Sequence, residues 1–304
     1  MTQAFSRYKG IFDMKKKEIF RGVGTALVTP FRGGEIDFEA LASLIEMQIE
    51  AGVDALIIGG TTGEAATLSD AERDALFYRS AELVGGRTRL IFGTGTNDTR
   101  EAVSRTRRAA QIGCDGALVV TPYYNKGTEE GVYRHYRALS ECSDLPIILY
   151  NVPSRTGVNL GTGLLARLSE QENVAGLKEA SDSVDRLVAL AALGDSLPLY
   201  AGNDSQIYPT LALGGAGVIS VVSNPLPNAV KRITDAYLRG NYAESLAWQV
   251  KLLPLVRALF AETNPTPVKW LMEHLRLCSS EVRLPLSEPR ESTTAALLCA
   301  LAEL

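Results

Sequence analysis

Residues 146–157 read PIILYNVPSRTG and residues 174–180 read VAGLKEA. Each is a short apolar run that breaks at its end into polar side chains, the pattern of a buried strand feeding a loop. Runs of this kind recur roughly every thirty residues, beginning near Val23, Asp54, Arg89, Gly116, Pro146, Val174, Pro198 and Gly217. The stretches between them carry helical spacing: Leu41, Leu44 and Ile45 in one, Val103, Thr106 and Ala110 in another, Leu187, Leu190 and Leu193 in a third. Several open on a cap with acidic residues, at Ser69 to Glu72 and Asn97 to Glu101, and end near glycine, at Gly52, Gly113 and Gly194. Eight strand signals alternating with helices predict a parallel (β/α)8 TIM barrel rather than an open doubly wound sheet.

Such a barrel takes about 250 residues, so the chain of 304 holds one with a short appendage. Strand signals stop near residue 242, and 242–260, 266–277 and 288–304 read as helices. The expected organisation is a barrel over 21–241 and a C-terminal helical domain over 242–304. Residues 1–20 show no pattern and read as an N-terminal extension, either a disordered tail or a product of start-site choice, with Met14 heading a shorter start.

A net charge of −4 and scattered Lys/Arg give no basic field for a phosphate backbone, which argues against nucleic acid as a partner. The longest apolar runs are strand-length, too short for a bilayer, and no apolar segment follows the Lys15-Lys16-Lys17 cluster as a signal peptide requires. A cytoplasmic protein without membrane contact is expected. Cys114, Cys142, Cys278 and Cys299 lie far apart and read as buried reduced thiols. His135 and His274 are too few for the usual zinc site, so no metal is expected.

In a (β/α)8 barrel the reactive groups lie at the carboxyl ends of the strands. The second strand runs into GGTTGE at 59–64, whose glycines permit a tight turn with N–H groups facing outward at a helix start, and whose threonines add donors for a carboxylate. Taken alone, those residues read more readily as an ordinary βα turn. The sixth strand places Lys178 inside an apolar run covered on both faces. Burial disfavours the ammonium form of an amine, which suits a Schiff-base nucleophile; pairing with Glu179 is the alternative, weakened because adjacent strand residues point to opposite faces. Tyr150 ends the fifth strand as a candidate proton relay, and Arg155 in the following loop is a candidate bidentate carboxylate clamp or a solvated charge. The fourth strand ends in Tyr123-Tyr124, a pair that packing alone would explain.

Together GGTTGE (59–64), TPYYN (121–125), YNVPSRTG (150–157), GLKEA (176–180), GVISVVSN (217–224) and NPTPVKW (264–270) resemble the dihydrodipicolinate synthase family, within the N-acetylneuraminate lyase superfamily of class I aldolases. The likeness runs from about Phe20 onward, with the motifs in family order. It implies a lyase that joins pyruvate to L-aspartate 4-semialdehyde in lysine and diaminopimelate biosynthesis, without metal or organic cofactor, as a homotetramer arranged as a dimer of dimers. By resemblance Lys178 is the Schiff-base nucleophile, Thr61 and Thr62 hold the pyruvate carboxylate, and Tyr150 moves protons with Thr61 and Tyr124. Tyr124 would reach in from the neighbouring subunit, Arg155 would bind the aldehyde's carboxylate, and Gly202 and Ile219 would line the pocket. Asn97, Glu101 and Tyr123 match the positions of an allosteric L-lysine site, whose other end here carries Ala65, Asp70 and Arg73 where lysine-sensitive bacterial members have a serine and two histidines. The alternatives are another pyruvate-dependent aldolase or dehydratase, or a non-catalytic pyruvate-binding barrel.

Overall fold

The computed structural model describes residues 18–304; the reading of an N-terminal extension, and of a start at Met14, falls up to residue 17 outside the described residues. Among those described, eight parallel strands close into a barrel: β1 Gly22–Ala26, β4 Ala55–Ile58, β5 Arg89–Gly93, β6 Gly116–Val120, β7 Ile147–Asn151, β8 Val174–Glu179, β9 Leu199–Ala201 and β10 Gly217–Ser220. Each begins within one residue of its expected position. A short antiparallel ribbon of β2, Phe31–Arg32, and β3, Glu35–Ile36, was not foreseen. Two-residue strands carry no periodicity, and the one available signal was the Gly33-Gly34 turn, both glycines at positive φ as such a hairpin requires.

The chain divides into two compact units. The first holds Gly22–Gly93 and Ile219–Leu304, with β1, β4, β5 and the helices Tyr242–Leu259, Thr266–His274 and Glu291–Ala302. The second centres on Thr94–Val218 and carries β6 to β9. Residues of β4, β7 and β8 are buried throughout, which is why these strands read as continuous apolar runs instead of alternating.

Local chemistry sets the helix starts. Ser69 and Glu72 form a reciprocal capping box for Asp70–Val84. The Asp98 carboxylate accepts from the Arg100 N–H at 2.8 Å at the head of Thr99–Ile112. In the first unit Gly93 approaches the chain so closely that a Cβ would meet the Gly59 carbonyl oxygen at 2.2 Å, which fixes the path of the β4 loop.

The cysteines depart from expectation. All four are free, but Cys114, Cys142 and Cys278 are half-buried and Cys299 is exposed, because they sit on loops and helix faces instead of strand interiors. His135 is buried, with Nδ1 2.9 Å from the Thr99 hydroxyl, and burial pushes its imidazole down to about 4. Among the described residues no group of three or more His, Cys, Asp or Glu is placed to hold a metal ion, and no helix is long and apolar enough to cross a membrane.

Candidate active site

The second unit brings Lys178 and Tyr150 together. They are in register on adjacent parallel strands, so their side chains share a face. Both are buried, and Lys178 Nζ lies 4.3 Å from the centre of the Tyr150 ring. On the opposite face the next residues of the same strands, Asn151 and Glu179, are also in register. Asn151 Nδ2 donates to both Glu179 oxygens at 2.8 and 3.0 Å, the Ser181 N–H donates to Oε1 at 3.0 Å, and Arg186 Nε donates to Oε2 at 3.0 Å. The pairing of Lys178 with Glu179 is therefore excluded: alternation sends the carboxylate outward to Arg186, and the amine stays with the tyrosine.

The same network shapes the loop that carries Arg155. Asn151 Oδ1 accepts from the Leu160 N–H at 3.0 Å, and Arg186 donates to the Leu160 carbonyl at 2.6 Å. Between these anchors Pro153–Thr156 makes one helical turn, closed by the Thr156 hydroxyl donating to the Val152 carbonyl at 3.1 Å, and presents Arg155 on the surface. Gly202 presses against the end of β8, its N–H donating to the Glu179 carbonyl at 2.7 Å, where a Cβ would meet Ala180 Cβ at 2.7 Å. Only a glycine fits that approach.

β6 ends at Thr121, whose N–H and hydroxyl both donate to the Tyr150 carbonyl at 2.9 Å. The loop beyond turns Tyr124 outward: it is 87% exposed and has φ +70°. Tyr123 is half-buried, and its carbonyl accepts from Asn97 Nδ2 at 3.3 Å. Asn97 and Tyr123 of the candidate lysine site thus touch, while Glu101 is engaged one helical turn away by Arg105 at 2.6 Å.

The first unit holds Thr61, Thr62 and Ile219, the last fully buried on β10. GGTTGE differs from its expected form. The long helix starts only at Asp70, after a 3₁₀ turn at Ala65–Thr67. The N–H groups of Gly63, Glu64 and Ala65 are spent on Gly60 and Thr61 carbonyls within the loop. The expected outward nest at a helix start is thus not formed by these three, and the loop instead offers its threonines.

Partners from the C-terminal segment hold this loop. Asn264 Nδ2 donates to the Thr62 hydroxyl oxygen at 2.9 Å, and Lys269 Nζ meets Glu64 Oε1 at 2.7 Å with both side chains buried. Arg283 donates to Glu72 and, from its backbone N–H, to Glu64 Oε2 at 3.0 Å. Its guanidinium holds the Glu72 carboxyl down at about 2. The available signal for Asn264 and Lys269 was the NPTPVKW motif; Arg186 had none, being one more arginine on a helix. Arg73, which sequence resemblance matches to the other end of the candidate lysine site, is buried, pairs with Asp70 at 2.6 Å and donates to the Ala65 carbonyl at 3.0 Å.

A (β/α)8 barrel that buries a lysine beside a tyrosine at the carboxyl ends of adjacent strands has the architecture of a class I aldolase, a lyase. A sequence model of the Dihydrodipicolinate synthetase family matches residues 19–303. The chain is similar to 4-hydroxy-tetrahydrodipicolinate synthase of Thermotoga neapolitana, at 46% identity over 94% of this chain and 99% of that one. Among solved structures it resembles dihydrodipicolinate synthase from Thermotoga maritima (TM-score 0.92, 43% identity, 94% of this chain and 99% of that one). It also resembles that from Cyanidioschyzon merolae with lysine bound (TM-score 0.90, 37% identity, 94% and 99%). The chain belongs to the Dihydrodipicolinate synthetase family.

Proposed function

We propose that the protein condenses pyruvate with L-aspartate 4-semialdehyde to give 4-hydroxy-tetrahydrodipicolinate, in lysine and diaminopimelate biosynthesis, in the cytoplasm. The observation that carries this is the buried Lys178 with its amine 4.3 Å from the Tyr150 ring. Lys178 attacks the keto carbon of pyruvate and water leaves, forming an imine. Loss of a methyl proton gives the enamine, and the protonated imine itself is the electron sink. The enamine carbon bonds to the aldehyde carbon, the substrate's amino group displaces Lys178 by transimination, and the product cyclises. Tyr150 exchanges the protons with help from Thr61 and Tyr124, and Thr61 and Thr62 hold the pyruvate carboxylate. Borohydride reduction in the presence of pyruvate is the test: a mass gain on Lys178 is expected, and an unmodified lysine would leave a binding barrel as the better reading.

Arg155 is assigned to the carboxylate of the aldehyde substrate. Its turn is exposed yet anchored at both ends, which suits a clamp that meets a second substrate from outside. A sugar-acid aldolase would need hydroxyl partners there. Arg155→Ala is expected to remove a charged contact of about 1.5–3 kcal/mol, roughly 10- to 150-fold, from the aldehyde alone. Kinetics with each substrate varied in turn decide it, since an equal loss for pyruvate would make Arg155 a loop support.

Feedback by L-lysine is expected to be weak or absent. Asn97, Glu101 and Tyr123 keep one half of the site, but the other half holds Ala65 without a hydroxyl and the buried cation Arg73, which repels a side-chain ammonium. Asp70, which would attract it, already pairs with Arg73 at 2.6 Å. An activity titration with L-lysine at subsaturating pyruvate checks this; strong inhibition at micromolar lysine would contradict it. The assembly is proposed to be a homotetramer built as a dimer of dimers, with the barrel at 21–241 and the helical domain at 242–304.

A further inference from the structure

We infer that Asn264, backed by the Lys269–Glu64 ion pair, is a positioning residue that fixes the Thr62 hydroxyl as a hydrogen-bond donor to the substrate carboxylate. This rests on the reading of Thr62 as a ligand of pyruvate and deepens it. Asn264 and Thr62 are both buried, and the Asn264 amide donates to the Thr62 oxygen at 2.9 Å. A hydroxyl has one hydrogen. With its oxygen occupied by an incoming N–H, the Thr62 hydrogen points away from Asn264, and a carboxylate, which only accepts, needs a donor of that kind.

The residues flanking Thr62 are pinned with it. Glu64 sits at φ +53°, a strained conformation for a non-glycine residue that persists only where its surroundings enforce it. Enforcement comes from Lys269 on one carboxylate oxygen at 2.7 Å and the Arg283 N–H on the other at 3.0 Å. Lys269 also donates to the Thr29 carbonyl at 3.0 Å and lies 4.4 Å from the centre of the Phe31 ring, while the Thr29 hydroxyl donates to the Gly63 carbonyl at 2.7 Å. The segment from Asn264 to Arg283 therefore grips the loop at Thr62 and at Glu64, and an element that lies outside the barrel strands determines the direction of a hydroxyl at the end of β4.

The decisive variant is Asn264→Asp, which keeps the shape of the side chain but replaces the donor with an acceptor. The new carboxylate would draw the Thr62 hydrogen to itself and set a negative charge near the pyruvate site. The expected result is a KM for pyruvate raised by about tenfold or more, with kcat at saturating pyruvate and the KM for the aldehyde changed far less. Asn264→Ala, which removes the donor without adding charge, should shift the same constant less. In a Thr62→Val background, where there is no hydroxyl to orient, Asn264→Asp should lose most of its effect on pyruvate. An unchanged pyruvate KM in both Asn264 variants, or an equal effect with and without the Thr62 hydroxyl, would overturn the inference. Thermal midpoints measured on the same samples expose a variant that acts through folding alone, and that result overturns it too. Borohydride trapping on the parent enzyme separates the two levels. A parent that does not trap pyruvate on Lys178 defeats the functional reading, whereas a parent that traps and an Asn264→Asp variant that traps equally well at limiting pyruvate defeat only the positioning role.

Discussion

Lys178→Ala is expected to abolish condensation while leaving the barrel folded. Truncating a buried charged residue is usually severe because it strands a partner, but among the described residues Lys178 forms no ion pair, and the neighbouring carboxylate of Glu179 is satisfied by Asn151, Ser181 and Arg186 on the other face of β8. What disappears is the amine beside the Tyr150 ring. Lys178→Arg should fail equally, since a guanidinium stays protonated and cannot attack a carbonyl. Steady-state assays with a thermal melt on each variant give the measurement: turnover at background with a melting point near the parent's is the expected pair. Near-parental condensation in either variant would rule out a Schiff base at this position, and borohydride with pyruvate should label neither.

Most of the barrel was legible because parallel strands buried on both faces leave continuous apolar runs, and eight of them punctuated by helices admit few topologies. Lys178 stood out for the same reason, as a charge inside such a run. Residue types alone did not decide whether Lys178 pairs with Glu179; that pairing is ruled out by Arg186, which reaches Glu179 from the helix Val184–Ala191 and looks in the sequence like any surface arginine. The GGTTGE loop was found, but its conformation was misjudged. Whether its N–H groups face outward or close on its own carbonyls depends on Glu64 adopting positive φ, and that in turn depends on Lys269 and Arg283, some two hundred residues further along. Long-range polar pairs of this kind leave no periodic trace. The cysteines show the same limit, since apolar character alone does not say that Cys114, Cys142 and Cys278 fall in the connections between elements or that Cys299 takes an exposed helix position.

Tyr124→Phe is expected to lower turnover by about 10²- to 10⁴-fold, the span of a lost proton-transfer group, while pyruvate still labels Lys178. The family resemblance assigns the tyrosine to a partner's site, and the geometry of the single chain suits that assignment. A bulky side chain at φ +70° is strained, and one that is 87% exposed gains nothing within its own chain to offset that strain. The anchor at Thr121 nevertheless fixes the start of its loop to the carbonyl of Tyr150. A contact across a dimer would supply the missing compensation and would link assembly to catalysis. Mixing Tyr124→Phe chains with Lys178→Ala chains tests this directly. In a mixed dimer the intact lysine of the first chain would face the intact tyrosine of the second, restoring one complete site, and activity should rise well above that of either homodimer. Activity no higher than that of the Tyr124→Phe homodimer would mean that Tyr124 serves the site of its own chain, and the link between assembly and proton transfer would have to be given up.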